Sequence, residues 1–536
     1  MQRPIGIRQM LPVVVMVCFT AARVQAQSEP TQSASDQRIE AALQELRSRI
    51  DTLETQNAEL RSQIAPAVET AAFDHEATAE VPADEKSAAL DDDRLTFEEL
   101  LARSLSAEQR LTSLEESAKE QAVADEKAAE EAKKTAPKYI THYSKGFVFE
   151  PVDKAKTPFE LRVNGRMQFR YTGFKREDES YNTLAGPVSV EDRNDFEIER
   201  GRLEFSGFML DPKLQYYINI DADTDDQHRA IFHDFWVNYK FDDTFNLFGG
   251  KAFVPGSRDW LAGSTRTHLA DRSMSNSFFR PDRSIGIWAE GEIADGVFYR
   301  AMLANGFNTQ DLRPAPGLIA HEIDSLFAYA ATSYWDPFGD YGKGYADIDC
   351  SCDLLARVGH SFTFAPNQSQ DNLSGIRLEE TSFRLSDGSL LTAPGVLGPG
   401  AQVRAFDAYL YAVDAAFKYR GWSMNSEFYF RWLEDLKANA PIITNELYDD
   451  GFYVDLGKMI LPKKLEAVGR VSTVDGAFGD SWEYAGGFNI YLNGDHTHKL
   501  TLDAAVLDGS PIAASSPNYE IGQNGMLYRM QYQVAF

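Results

Sequence analysis

FELRVNGRMQFRY, Phe159 to Tyr171, alternates in two-residue steps. Phe159, Leu161, Val163, Met167, Phe169 and Tyr171 fall on one face, and Glu160, Arg162, Asn164, Arg166, Gln168 and Arg170 on the other. Such a period is that of a strand with two unlike faces. A soluble sandwich would bury the apolar face and wet the polar one, whereas an outer-membrane barrel turns the apolar face to lipid and the polar one to a lumen. An arginine facing lipid at the bilayer midplane costs about 2–4 kcal/mol. Three on one strand therefore predict that Arg162, Arg166 and Arg170 point inward, one above another.

The pattern recurs downstream. Strands are expected near 159–171, 196–209, 214–222, 231–241, 245–251, 284–291, 297–305 and 325–335. The second half supplies 354–364, 406–419, 422–432, 451–460, 465–473, 482–493, 498–507 and 526–536. That makes sixteen, an even number, with lengths approaching the roughly 9–11 residues that a tilted spanning strand needs. The second strand loses phase near Arg200, which predicts a bulge there.

The connections favour a barrel over a sandwich. Short turns at 211–213, 242–244, 420–421, 461–464 and 494–497 alternate with long loops at 172–195, 252–283, 306–324, 365–405, 433–450 and 508–525. Short periplasmic turns and long outer loops give this rhythm. Residues 336–353 break it, being a long link at the short-turn end that carries Cys350 and Cys352. A Cys-x-Cys pair can form a strained disulfide, hold a metal or stay reduced. No nearby residues complete a ligand set, which favours a structural or incidental role. The final stretch, MLYRMQYQVAF, alternates Met526, Tyr528, Met530, Tyr532, Val534 and Phe536 against Leu527, Arg529, Gln531, Gln533 and Ala535. It reads as the closing strand paired back to the first, leaving no edge. Its terminal aromatic resembles the signal by which barrel-assembly machinery recognises its clients.

Ahead of the barrel the chain is different. Residues 1–26 read as a signal peptide: Arg3 and Arg8, an apolar run from Met10 to Thr20, and a small-residue site at Val24-Gln25-Ala26. From 27 to 66 the apolar residues follow heptads, with Leu43, Ile50, Asn57 and Ile64 at a and Ile39, Leu46, Leu53 and Leu60 at d. This predicts a coiled coil in which Asn57 fixes register, with dimer and trimer both open. An acidic linker spans 67–93, and a second helical segment spans 94–136, opened by a capping box at Thr96 and Glu99. Residues 27–140 hold 26 acidic and 13 basic side chains, as expected of a solvated stalk. The barrel region follows from 137 to 536.

The formal charge of -28 argues against nucleic acid as a partner. Three cysteines are too few for a disulfide scaffold. No GxSxG occurs, and His321-Glu322 lacks the second histidine of HExxH, so the chain reads as no enzyme and calls for no cofactor or metal.

The segments GGKAFVPGSRDWLAGSTRTHLADRS, RSIGIWAEG, FKYRGWSMNSEFYF, ILPKKLEAVGRVSTVD and GFNIYLNGDHTHKLTLDAAV resemble the phosphate-selective porins O and P. The resemblance covers roughly residues 157–536. It implies an all-β barrel of sixteen antiparallel strands in the bacterial outer membrane, usually a homotrimer, that passes small anions such as phosphate or pyrophosphate. It also implies a third loop folded inward to narrow the pore. That loop carries Arg258, Arg266, Arg272, Arg280 and Arg283 against Asp259, Asp271 and Asp282. With Arg162, Arg166 and Arg170 these arginines are the candidate pore-lining, anion-binding residues, as planar forks for phosphate oxygens. The same side chains can instead pair with loop and wall carboxylates and brace the constriction. Residues 141–536 hold 55 acidic and 37 basic side chains, so placement rather than net charge has to set selectivity. The alternative is a general or weakly cation-preferring porin whose periplasmic leader tethers the outer membrane to the cell wall or to a periplasmic partner.

Overall fold

The computed structural model describes residues 139–153, 158–224, 230–307, 326–369, 383–513 and 518–536, together with helical residues between 106 and 127. The signal peptide, the heptads and the acidic linker lie outside the described residues, as does most of the second helical segment. Residues 1–135 and 136–536 are separate compact units.

In the second unit a hairpin, β1 (Tyr139–Tyr143) and β2 (Phe147–Pro151), precedes β3 (Phe159–Arg176). A small hairpin, β4 (Ser180–Thr183) and β5 (Gly186–Ser189), decorates the next loop. Then come β6 (Arg193–Met209), β7 (Asp211–Asp221), β8 (Ile231–Lys240) and β9 (Asn246–Phe253). Two short helices follow, α1 (Arg258–Leu261) and α2 (Met274–Phe279). The chain continues through β10 (Arg283–Ala294), β11 (Val297–Ala304), β12 (Ala328–Trp335), β13 (Leu355–Ser369) and β14 (Val403–Tyr419). It ends with β15 (Trp422–Ala438), β16 (Leu447–Leu461), β17 (Leu465–Gly476), β18 (Gly479–Tyr491), β19 (His498–Asp508) and β20 (Gly525–Ala535).

β3 and β6 to β20 pair antiparallel in chain order, and β20 pairs back onto β3 from Gly525–Arg176 to Ala535–Arg166. Among the described residues this closes a barrel of sixteen strands. Each expected strand is present, most of them longer than expected. The reason is that pairing runs past the membrane band into the loops: β13 reaches Ser369 and β15 reaches Ala438, where alternation in the sequence has already faded. The expected bulge near Arg200 is there too. Gln168 pairs with Arg200 and Phe169 with Ile198, which leaves Glu199 over. That extra residue turns both Glu199 and Arg200 into the buried interior.

The faces sort as alternation requires. On β3, Gln168, Arg170 and Thr172 are fully buried inside, while Met167 and Phe169 are exposed outside. On β20, Leu527, Arg529, Gln531 and Gln533 are inside and Tyr528, Met530 and Tyr532 outside. Leu527, the apolar member of the inner set, packs with Phe174 and Tyr519. Exposed aromatics ring both ends, with Phe241, Trp335 and Trp422 at the short-turn end and Phe196, Phe232 and Tyr448 at the other.

Two of the described connections enter the barrel. One is the 254–282 segment between β9 and β10, which includes both helices. The other is the 336–354 link between β12 and β13, from the opposite end: Tyr341, Tyr345 and Asp347 are buried, and the Lys418 ammonium donates to the Tyr341 carbonyl at 2.9 Å. That burial accounts for a long connection at the short-turn end. Cys350 and Cys352, at its far side, are free thiols, the first half-buried and the second exposed.

Candidate functional site

The 254–282 segment is rich in Ser, Thr, Gly and Ala, and its helices are too short to hold themselves. Ser257 and Ser273 cap them, accepting from the amides of Trp260 and Asn276. The wall supplies the rest. Carboxylates accept from loop amides: Glu427 from Asp259 at 2.6 Å, Asp503 from Ala270 at 2.8 Å and Glu483 from Met274 at 2.7 Å. Amide and cationic side chains donate to loop carbonyls: Gln168 to Ser264, Gln533 to Thr265, Lys499 to Thr267, Asn489 to His268 and Arg470 to Asp271. A buried backbone needs its polar groups answered, and here β3, β15 and β17 to β20 answer them. The segment therefore lies along that arc and leaves the opposite arc open.

The eight arginines singled out in the sequence divide by environment. Arg170 is wholly buried, with Nη1 3.0 Å from Glu199 and Nη2 2.7 Å from Asp271, and it donates to Gln531. Arg258 pairs with Asp414 at 2.7 Å and donates to Asn425 at 3.0 Å. Arg272 donates to the carbonyls of Asp259, Trp260 and Ala262 and so ties off the end of α1. Arg283 pairs with Asp234 at 2.8 Å, its guanidinium 3.7 Å from the centre of the Phe253 ring.

The other four are freer. Arg166 stands 3.5 Å from Glu204, and its Nε has no hydrogen-bond partner among the described residues. The Arg280 guanidinium lies over Trp260, 3.8 Å from the ring centre. Burial, with Arg272 and Arg283 nearby, pushes its guanidinium down to about 10, still cationic at neutral pH. Neither Arg280 nor Arg266 has a carboxylate within salt-bridge distance among the described residues. Arg162 donates to the Ser144 carbonyl at 2.7 Å, beside the β1–β2 turn and away from the other seven.

Among the described residues, two chambers lie along the open arc. The outer one, about 520 Å³, lies near the long-loop ends of β7, β8 and β10 and is lined by Arg166, Arg200, Arg202, Arg266, Arg272, Arg280, Arg283 and Lys343. Facing these eight cations are six carboxylates: Glu199, Glu204, Asp221, Asp223, Asp234 and Asp282. The inner one, about 720 Å³, lies near the short-turn ends of β8 to β12. It sets Lys240, Arg258, Arg266, Arg300, Lys343 and Arg357 against Asp243, Glu290, Glu292 and Asp414, among Tyr299, Tyr334, Tyr341 and Tyr345. Both chambers are thus cationic in a chain of net charge -28. Ala262, Gly263, Arg266 and Lys343 line both, so the chambers meet where the two inward segments meet.

Lys343, Arg200, Arg202, Arg300 and Arg357 were not singled out from the sequence. Alternation extended through each strand would have turned Arg202, Arg300 and Arg357 inward, whereas Arg200 is turned inward by the bulge at Glu199. Lys343 has no such signal, because it stands on a connection rather than a strand.

Residues 156–316 match the model of the family described as phosphate-selective porin O and P. No curated protein matches the chain. Among solved structures it is similar to an anion-selective porin from Comamonas acidovorans, at 12% identity and TM-score 0.46 over 70% of this chain and 100% of that one. It is also similar to OprB of Pseudomonas putida, at 7% and 0.43 over 70% and 94%, and to the outer membrane channel DcaP of Acinetobacter baumannii, at 10% and 0.42 over 70% and 97%. Within the barrel, residues 156–316 are thus similar to the phosphate-selective porin O and P family.

Proposed function

We propose that the barrel is a passive diffusion channel for small anions such as phosphate or pyrophosphate, narrowed where the 254–282 segment and the 336–354 link meet. One observation carries the reading: the two chambers share Arg266 and Lys343, cations with no carboxylate within salt-bridge distance among the described residues. A solute crossing the narrowing passes both. Arg280, over Trp260 in the outer chamber, offers its guanidinium to an oxyanion on the way in. Acidic groups elsewhere do not oppose this, because fields inside a low-dielectric passage are set by the nearest charges. The resemblance to the family supports a homotrimer. Chain order supports a periplasmic leader, since β3 starts at the short-turn end.

The reading is tested by reversal potential in planar bilayers under a potassium chloride gradient, followed by block with inorganic phosphate. The native channel prefers chloride to potassium, and phosphate reduces its chloride current. Arg266→Gln with Lys343→Gln lowers both effects. Cation preference in the native channel would overturn the reading in favour of the general porin.

A further inference from the structure

The closing pair leaves part of the seam uncovered. β20 pairs with β3 only as far as Arg166, and the main chain of Phe536 adds two bonds to Gly165 at 3.2 and 2.9 Å. β3 nevertheless begins at Phe159, so its edge runs on below that point. β2 takes it up, with Phe147 opposite Val163 and Phe149 opposite Leu161. β1 backs β2, with Tyr143 opposite Phe147. The hairpin is outside the sixteen-strand closure and continues the seam in the direction of the short turns.

Residues opposite each other in an antiparallel ladder share a face. Val163 is in phase with the outward residues Met167 and Phe169, so Tyr143, Phe147 and Phe149 point outward as well. They are 62%, 52% and 42% exposed, whereas Val148 on the other face is 2% exposed. The Phe147 ring stands edge-on to that of Phe536, 5.9 Å between centres. The patch is therefore continuous with the lipid-facing surface of the barrel. It stands at the end ringed by Phe241, Trp335 and Trp422, in the one sector where β20 has already stopped. Aromatic side chains favour the membrane–water interface, where a ring can lie in the acyl boundary and a tyrosine hydroxyl can reach water.

We infer that the β1–β2 hairpin is a lipid-interface anchor, seating Tyr143, Phe147 and Phe149 in the headgroup layer of the periplasmic leaflet and completing the aromatic girdle beneath the β20–β3 seam. A second copy of the chain, or the chain's own acidic leader, would cover the same rings with protein instead.

The full chain, with Cys18, Cys350 and Cys352 replaced by Ser, is reconstituted into phosphatidylethanolamine–phosphatidylglycerol vesicles with a nitroxide on Tyr143→Cys. Collision with oxygen and with a water-soluble nickel chelate is then measured. The expected result is access to oxygen with protection from nickel, as for a nitroxide on Trp422→Cys in the girdle. Nickel access equal to that at Lys463→Cys, on an exposed turn, would overturn the proposal, and so would protection from both reagents. Phe149→Cys is read by the same criteria, so the result does not depend on one variant inserting.

Discussion

The Tyr345 hydroxyl donates a 2.6 Å hydrogen bond to Oδ1 of Asp259. It joins the link that enters the barrel from the short-turn end to the segment that enters from the other. The Arg258 guanidinium lies 5.2 Å from the centre of the same tyrosine ring. The narrowing is thus held by a contact between two connections as well as by the wall.

Tyr345→Phe removes that bond and keeps the ring. A hydrogen bond to a charged group contributes about 1.5–3 kcal/mol, enough to let the link sample other positions. Single-channel records should show added substates and flicker, with the reversal potential little changed. A steady open level like that of the native channel would show that the wall alone fixes the link.

Arg170→Met and Arg280→Gln should part company. The first leaves Glu199 and Asp271 buried with a cation missing, and breaking such a buried pair costs about 3–5 kcal/mol. The folded barrel should then unfold at a lower temperature on heated gels. The second removes a stacked cation that has no described carboxylate partner, so the unfolding temperature should hold while anion preference falls. Equal effects on both readouts would erase the division between bracing and facing arginines.

Arg162→Gln is expected to leave selectivity unchanged. Its guanidinium rests on the Ser144 carbonyl and lines neither chamber. Reversal potentials of the variant and the native channel should coincide, and a shift toward cations would put Arg162 on the conducting path.

Phe536→Ala should weaken closure. A methyl group added at Gly165 would run into the Phe536 ring, so that glycine makes the room in which the ring sits. Deleting a buried phenylalanine costs about 3–5 kcal/mol, and this ring is 43% exposed, so roughly half that is expected here. Folding yield into vesicles should fall before any change in selectivity.

The strands were legible because a lipid-facing and a lumen-facing side leave a two-residue rhythm that no partner is needed to read. The Glu199 bulge was legible for the same reason, as a lapse of that rhythm. The β1–β2 hairpin was not, since two five-residue strands around Lys145-Gly146 look like a tail until the uncovered edge of β3 is known. Phase turned Arg166 and Arg170 inward alike. What separates them is Asp271, a hundred residues from Arg170, on a segment whose path depends on the wall. The inward course of the 336–354 link is hidden for a similar reason, because Asp259, Asn425 and Lys418, which hold it, are contributed by elements far along the chain.

The wall grips the 254–282 segment mainly by its peptide groups. Glu427, Asp503 and Glu483 take its amides, and Gln168, Gln533, Lys499 and Asn489 take its carbonyls, groups that every residue type but proline presents alike. Side chains along the free side of the segment are consequently released from holding it in place. Mutation there can retune what passes through while the mounting stays intact, which makes the segment an exchangeable cartridge in a fixed housing.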